Sequence, residues 1–216
     1  MLAPMMSTPS RRPACPTCLR PQRTCICRWI APVATSASVL ILQHPLEVAN
    51  AKGSARLLHL CLPGSVMLTG EQFDRAELSL HLHADERTPV LLYPADGDDD
   101  GDGATVLPAS QQRLVVLDAT WRKSRKMLHL NPVLAALPRL ALRAMPASHY
   151  RIRKAHRPDQ LSSFEAAAYA LCGQQGGEAD LARLLAAFDG FVDQQAAYAE
   201  AGRPETNFQD SLLLAQ

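Results

Sequence analysis

The residues best suited to chemistry in this chain follow one another. Val115, Val116 and Leu117 lead into Asp118, Ala119, Thr120 and Trp121, and four cations come next: Arg122, Lys123, Arg125 and Lys126. An apolar, β-branched run thus ends on a carboxylate, a hydroxyl and an indole, beside the basic start of a helix. An acid on a strand tip can orient a base or take its proton, and the cations can hold phosphates. A purely local reading competes with this one. An Asp after a strand commonly caps the next helix, Trp121 packs in the core, and the cations form a solvated face.

Four cysteines form the second constellation, Cys15-x2-Cys18-x6-Cys25-x-Cys27. Four thiolates can surround Zn²⁺ tetrahedrally, and two close pairs let a short loop supply them. A filled thiolate shell leaves no open position, so the expected role is structural, a staple within residues 14–31. The competing reading is four free thiols, and the single spacer of the second pair departs from the usual two. Cys61 and Cys172 stand alone in apolar segments and are expected in the core. This usage fits a reducing, cytoplasmic setting and a metal site, not a disulfide framework.

Bulk properties narrow the classes. The chain has 216 residues and a formal net charge of +1. Affinity for a polyanion must therefore come from local clustering. A second basic cluster supplies it: Arg151, Arg153 and Lys154 lie within Ser148–Pro158. Two basic patches in a near-neutral chain point to a polyanion docking surface. No apolar run has the length of a membrane span, and no apolar core follows Arg11 and Arg12 as in a signal peptide. Asp98, Asp100 and Asp102 imitate the start of a calcium loop. Ala109 stands where its bidentate Glu is needed, so calcium is rejected. Walker, dinucleotide-binding and nucleophile-elbow motifs are absent.

The elements that position these residues alternate. Strands are expected at Val39–Leu42, Ser65–Leu68, Val90–Tyr93, Arg113–Leu117 and Leu140–Leu142. Helices are expected over Leu46–Leu60, Arg122–Leu130, Val133–Leu137, from the Leu161–Glu165 segment (Ser162 or Ser163 as N-cap) to about Leu171, and about 179–200, with Leu181, Leu184, Leu185, Phe188 and Val192 as the last one's buried stripe. Ser162 and Glu165 are spaced as a capping box. Residues 72–88, with His81 and His83 alternating with leucines, read as a half-exposed strand or loop. The pattern predicts an α/β fold with a mostly parallel sheet. Ligands in such sheets bind beyond the carboxyl ends of the strands, where Asp118, Thr69 and His44 all fall. His44 there either touches ligand or caps a turn, and Gly70 lets a backbone approach a ligand or simply turns the chain. The expected organisation is a disordered leader at 1–13, the cysteine segment at 14–31, a catalytic domain at 32–202 and a loose tail at 203–216.

Several segments together resemble one family. Asp118-Ala119-Thr120-Trp121 is similar to the D-x-T-W signature of the DTW-domain family. Its context agrees: Arg122-Lys123-x-Arg125-Lys126-Met127-Leu128 and then Asn131-Pro132 follow it. Leu161-Ser162-Ser163-Phe164-Glu165-Ala166 resembles the family's L-S-T-x-E-A segment, with Ser163 in place of Thr. Gln43-His44-Pro45-x-Glu47 and the N-terminal cysteine pairs fit as well. Gly53-Ser54, where the family often has Asn-Thr, and the long acidic insertion are departures.

The resemblance implies a tRNA-uridine aminocarboxypropyltransferase. Such an enzyme moves the 3-amino-3-carboxypropyl group of S-adenosylmethionine to N3 of a uridine in tRNA and releases methylthioadenosine. It implies a SPOUT-like fold with flanking helices and a C-terminal knot. On that reading Asp118 orients or deprotonates the uridine, aided by a pKa raised by burial beside Trp121. Thr120 and Trp121 shape the pocket. Groups at Thr69, Gly70, Leu117, Leu161, Ser162 and Ser163 hold the cofactor. Arg122, Lys123, Arg125, Lys126, Arg151, Arg153 and Lys154 hold RNA phosphates or the cofactor carboxylate. Two rival functions are a methyltransferase of the same fold and a non-catalytic, zinc-stapled RNA-binding protein.

Overall fold

The structure, a computed structural model, describes residues 13–94, 107–152, 161–173 and 177–201. The leader up to residue 12, the acidic loop at 96–102, Arg153, Lys154 and the tail from residue 202 lie outside the described residues.

Five strands form one sheet: β1 (Ser38–Gln43), β2 (Val66–Thr69), β3 (Thr88–Leu92), β4 (Gln112–Asp118) and β5 (Arg139–Leu140). Their spatial order is β2-β1-β4-β3-β5, and every pairing is parallel. Both faces are covered, which is why β4 reads as a continuous apolar run and is buried along its whole length.

The parity of the strand residues separates two cores. Val39, Ile41, Leu114 and Val116 face α2 (Ala55–Cys61), α6 (Ser163–Gly173) and α7 (Glu178–Ala201). Leu40, Leu42, Val115 and Leu117 face α3 (Arg75–Leu82), α4 (Trp121–Leu130) and α5 (Pro132–Ala135). The first core centres on Phe164, Phe188 and Phe191, all fully buried, with Phe164 and Phe188 stacked at 5.0 Å. Of the expected stripe on α7, Leu184, Phe188 and Val192 are buried, while Leu181 and Leu185 are partly covered.

Two expectations differ from the fold. The helix expected over Leu46–Leu60 is divided into α1 (Pro45–Val48) and α2. Between them Asn50 Oδ1 accepts from Lys52 N at 3.0 Å, and Arg20 donates to the carbonyls of Ala51 and Gly53, each at 2.7 Å. Side chains thus take the backbone groups that a continuous helix would have used. The segment read as a strand or loop contains α3. Asp74 caps it by accepting from Ala76 N and Glu77 N, both at 2.9 Å. Leu78 and Leu82, four apart, are its buried face, and Leu80 is exposed. The alternation of His and Leu concealed a helical spacing.

The cysteine segment is fastened to this body far from its own place in the chain. Trp29 Nε1 donates to Gln194 Oε1 at 2.5 Å, Gln194 Nε2 donates to Cys25 O at 3.0 Å, and Tyr198 donates to Arg23 O at 2.7 Å. Gly190 of α7 admits Trp29. A Cβ at that position would lie 2.3 Å from two atoms of the indole.

Candidate functional site

The carboxyl ends of three neighbouring strands form a row. Thr69 ends β2, Gln43 ends β1 and Asp118 ends β4, and pairing places them in register. Side chains at one level of parallel neighbours point to one face. Asp118 shares parity with Leu114 and Val116, so its side chain lies on the α2, α6 and α7 side. Gln43 confirms this, because its Nε2 donates to Asp118 Oδ2 at 3.0 Å and both residues are buried. The backbone fixes the row: His44 N donates to Asp118 O, and Gly70 N donates to Gln43 O, each at 3.0 Å.

Asp118 is not at the N-cap of α4. Thr120 holds that position, and its side chain makes no capping hydrogen bond. Of the two readings of the acid, the local one is thereby lost. For His44 the local reading holds. Its Nδ1 accepts from Leu46 N at 3.1 Å at the start of α1, so the ring proton is on Nε2 and is directed at Glu71 Oε1, 3.0 Å away. Gly70 also has a packing reason to be glycine. A Cβ there would come within 2.7 Å of the Phe73 ring.

The start of α6 comes over the same strand ends. Ser162 and Glu165 form the expected capping box: Ser162 N donates to Glu165 Oε2 at 2.8 Å, and Glu165 N donates to Ser162 Oγ at 3.2 Å. Ser163 Oγ donates to Leu117 O at 3.3 Å, linking α6 to the residue before Asp118. Glu165 does more than cap. Buried, it accepts from Ser148 Oγ and, at 2.7 Å, from His149 N, so it also ties down the 148–150 segment. Leu161 is partly covered and Thr69 is exposed.

The cations of α4 fall into two pairs. Lys123 Nζ lies 2.8 Å from Glu47 Oε1, and Lys126 Nζ lies 2.8 Å from Glu71 Oε2. Burial alone would raise the Glu47 carboxyl, but its bonds from Lys123 and Asn50 prevail and hold it below its ordinary range. Lys126 and then His44 lower Glu71 likewise. Arg122 and Arg125 are exposed and make no ion pair among the described residues. In the second cluster, Arg151 pairs with Asp193 of α7, and His149 Nδ1 lies 2.9 Å from Asp189 Oδ1. Trp121 is 42 % exposed, with its ring edge-on to Tyr93 at 5.5 Å.

The sulfurs of Cys15, Cys18, Cys25 and Cys27 all lie within 4.8 Å of one another, with Cys15 and Cys27 at 3.5 Å and Cys18 and Cys25 at 3.8 Å. Zinc–sulfur bonds of about 2.3 Å in a tetrahedron require sulfurs about 3.8 Å apart. The donor set therefore fits a zinc ion. Backbone N–H groups of Cys18 and then Thr17 lower Cys15 to about 6, whereas burial and then Cys25 push Cys27 up to about 12, so it is the sulfur geometry that carries the zinc assignment. Cys61 and Cys172 are free and buried, as expected for core residues.

A DTW domain model matches residues 12–196. The chain belongs to the DTW-domain family. Two curated relatives carry the same name, tRNA-uridine aminocarboxypropyltransferase 2. The Mus musculus protein is 28% identical over 173 residues, covering 74% of this chain and 56% of its own. The Drosophila melanogaster protein is 33% identical over 172 residues, covering 76% of this chain and 67% of its own. This DTW chain thus spans little more than half the length of the mouse relative. No solved structure matches it significantly. Among its described residues, no helix is long and apolar enough to cross a membrane.

Sequence reasoning missed Gln43, Glu47, Glu71 and Glu165 as parts of the site. Gln43 and Glu47 stood in a segment quoted only for its resemblance, and nothing local marked Glu71. Parity along two paired strands was the signal that could have placed Gln43 beside Asp118.

Proposed function

We propose that this chain transfers the 3-amino-3-carboxypropyl group of S-adenosylmethionine to N3 of a uridine in tRNA, in the cytoplasm, releasing methylthioadenosine. The observation that carries the reading is the buried Asp118 carboxylate, held by Gln43 in register with Thr69 at the carboxyl ends of a parallel sheet, within a DTW domain. The SPOUT-like fold and its knot belong to the same proposal. The return of the chain from β5 at the sheet edge to α6, whose Ser163 meets Leu117 of the central strand, supports them.

The donor supplies a sulfonium, which makes each attached carbon electrophilic. A bond forms between N3 and the aminocarboxypropyl carbon, the carbon–sulfur bond breaks with its electron pair going to sulfur, and the N3 proton departs. Which of the three carbons reacts depends on which is held in line, so the protein's task is positioning. Asp118 orients the uracil through its N3–H or takes the proton. Gln43 fixes the orientation of the carboxylate. Thr120 and Trp121 border the entry of the base. Hydroxyl and main-chain groups at Thr69, Gly70, Leu117, Leu161, Ser162 and Ser163 hold the donor. Arg122, Arg125, Arg151, Arg153 and Lys154 hold RNA phosphates or the donor carboxylate, and Lys123 and Lys126 do so only by exchanging Glu47 and Glu71 for the ligand. A zinc ion on the four cysteines holds the N-terminal segment against α7.

Incubation with unmodified tRNA and labelled S-adenosylmethionine, followed by nucleoside mass spectrometry, tests the reading. Aminocarboxypropyl-uridine is expected, and a methylated nucleoside or no product refutes it. Asp118→Asn keeps the shape and removes the base. The expected loss is about 10²-fold or more in kcat, and a folded variant of normal rate would show that Asp118 takes no part.

A further inference from the structure

Trp121 is the exposed large aromatic of this site, and its environment is built. Its ring meets Tyr93 edge-on at an interplanar angle of 69°. Tyr93 is itself held from two sides. The Arg139 guanidinium lies over its ring at 5.3 Å, and its hydroxyl is 3.1 Å from Ser124 Oγ. Ser124 Oγ in turn donates to Trp121 O at 3.0 Å, closing the loop back to the first residue of α4. An exposed indole normally exchanges rotamers, but this one is braced by an aromatic neighbour anchored to its own helix.

The cations around it are distributed to match. Arg125 is four residues after Trp121 and so its neighbour on the helix surface, and Arg122 follows directly. Both are exposed, whereas Lys123 and Lys126 are bound to Glu47 and Glu71. An exposed indole and two exposed guanidinium groups that make no ion pair among the described residues form a surface on which unstacked bases can lie while their phosphates meet cations. A duplex offers no free base face to such a surface, so the complement is single-stranded nucleic acid.

We propose that Trp121 is a stacking platform for a base of a single-stranded RNA segment, with Arg122 and Arg125 on its phosphates. Trp121 follows Asp118 by three residues in the chain, and the platform takes a base flanking the reacting one. The proposal rests on the transferase reading only for the identity of the RNA, not for the contact itself.

The test is binding of a short single-stranded oligoribonucleotide and of a duplex of equal length, by fluorescence anisotropy at several salt concentrations and without donor. Trp121→Ala is expected to weaken single-strand binding roughly tenfold to a hundredfold. It should leave duplex binding and the salt dependence unchanged, and the thermal midpoint close to that of the parent. Trp121→Phe, which keeps a stacking face, should recover most of the affinity. Equal losses on single strand and duplex, a shallower salt dependence, or no loss would overturn the proposal, as would a parent protein found as a dimer with Trp121 shielded. Mass analysis of tRNA separates the two claims. Stacking without aminocarboxypropyl-uridine defeats the transferase reading alone. Normal product with unaltered single-strand binding by Trp121→Ala defeats the platform alone.

Discussion

The division of the α4 cations makes a quantitative prediction about RNA binding. Four basic residues begin this helix, yet Lys123 and Lys126 are each 2.8 Å from a carboxylate of their own chain. A phosphate reaching either lysine must displace Glu47 or Glu71, so little net charge is gained. Arg122 and Arg125 have no such competitor among the described residues. Each phosphate neutralised contributes about 0.7 to 0.9 to the slope of log affinity against log salt. Replacing both arginines by alanine should therefore lower the magnitude of that slope by about 1.4 to 1.8. Between about 50 mM and 200 mM salt the parent should lose roughly 7- to 12-fold more affinity than the variant does. Replacing both lysines should change the slope by much less than half as much. The assay is equilibrium binding of unmodified tRNA over that salt range. Equal slope changes for the two double variants, or a larger change for the lysine pair, would refute the claim that the internal carboxylates occupy the lysines.

Three further predictions concern the body that carries the site. Gly190→Ala forces a Cβ to within 2.3 Å of the Trp29 indole; a loss of about 1–3 kcal/mol is expected in denaturant unfolding, and an unchanged midpoint would mean the contact is slack. Removal of zinc by a chelator, or Cys18→Ser, should lower the melting temperature and raise hydrogen exchange in α7, because Gln194 and Tyr198 bind that segment; a chain containing no zinc and indifferent to the chelator would contradict it. Asp85 sits at 2.7 Å from Arg113, whose side chain is almost fully buried. Burial alone would raise its pKa, but Arg113 and then Arg87 lower it from 3.8 to about 2. Its stabilising contribution is thus complete above the unfolded value near 3.8 and is lost as pH falls through about 2. Asp85→Asn should cost roughly 1–3 kcal/mol at neutral pH, less than a fully buried pair because Asp85 is partly open to water, and the variant's stability should depend less on pH across that window.

The elements of this fold were legible where a single periodicity governed them. The apolar runs of β1, β3 and β4 and the long stripe of α7 sit within a residue or two of where the pattern places them. The failures arose where side chains took over backbone bonding. Arg20, thirty residues away in sequence, binds the carbonyls that divide α1 from α2. The cap on Asp74 creates a helix from residues whose alternation suggested a strand. The site behaves in the same way. Asp118 stands out from its own neighbourhood, because a carboxylate ending an apolar run is conspicuous. Gln43 does not, because its importance depends on the order β2-β1-β4-β3-β5, which puts β1 against β4 although Gln43 and Asp118 are 75 residues apart in the chain. Once that pairing is known, parity alone sends both side chains to one face, and the hydrogen bond follows. Counting cations along α4 treats them as equivalent, but α1 after β1 and the turn after β2 each deliver an acid to one lysine. On the proposed reading the polyanion surface is therefore narrower than the composition of the helix implies, and we place its centre on Arg122, Arg125 and the indole beside them.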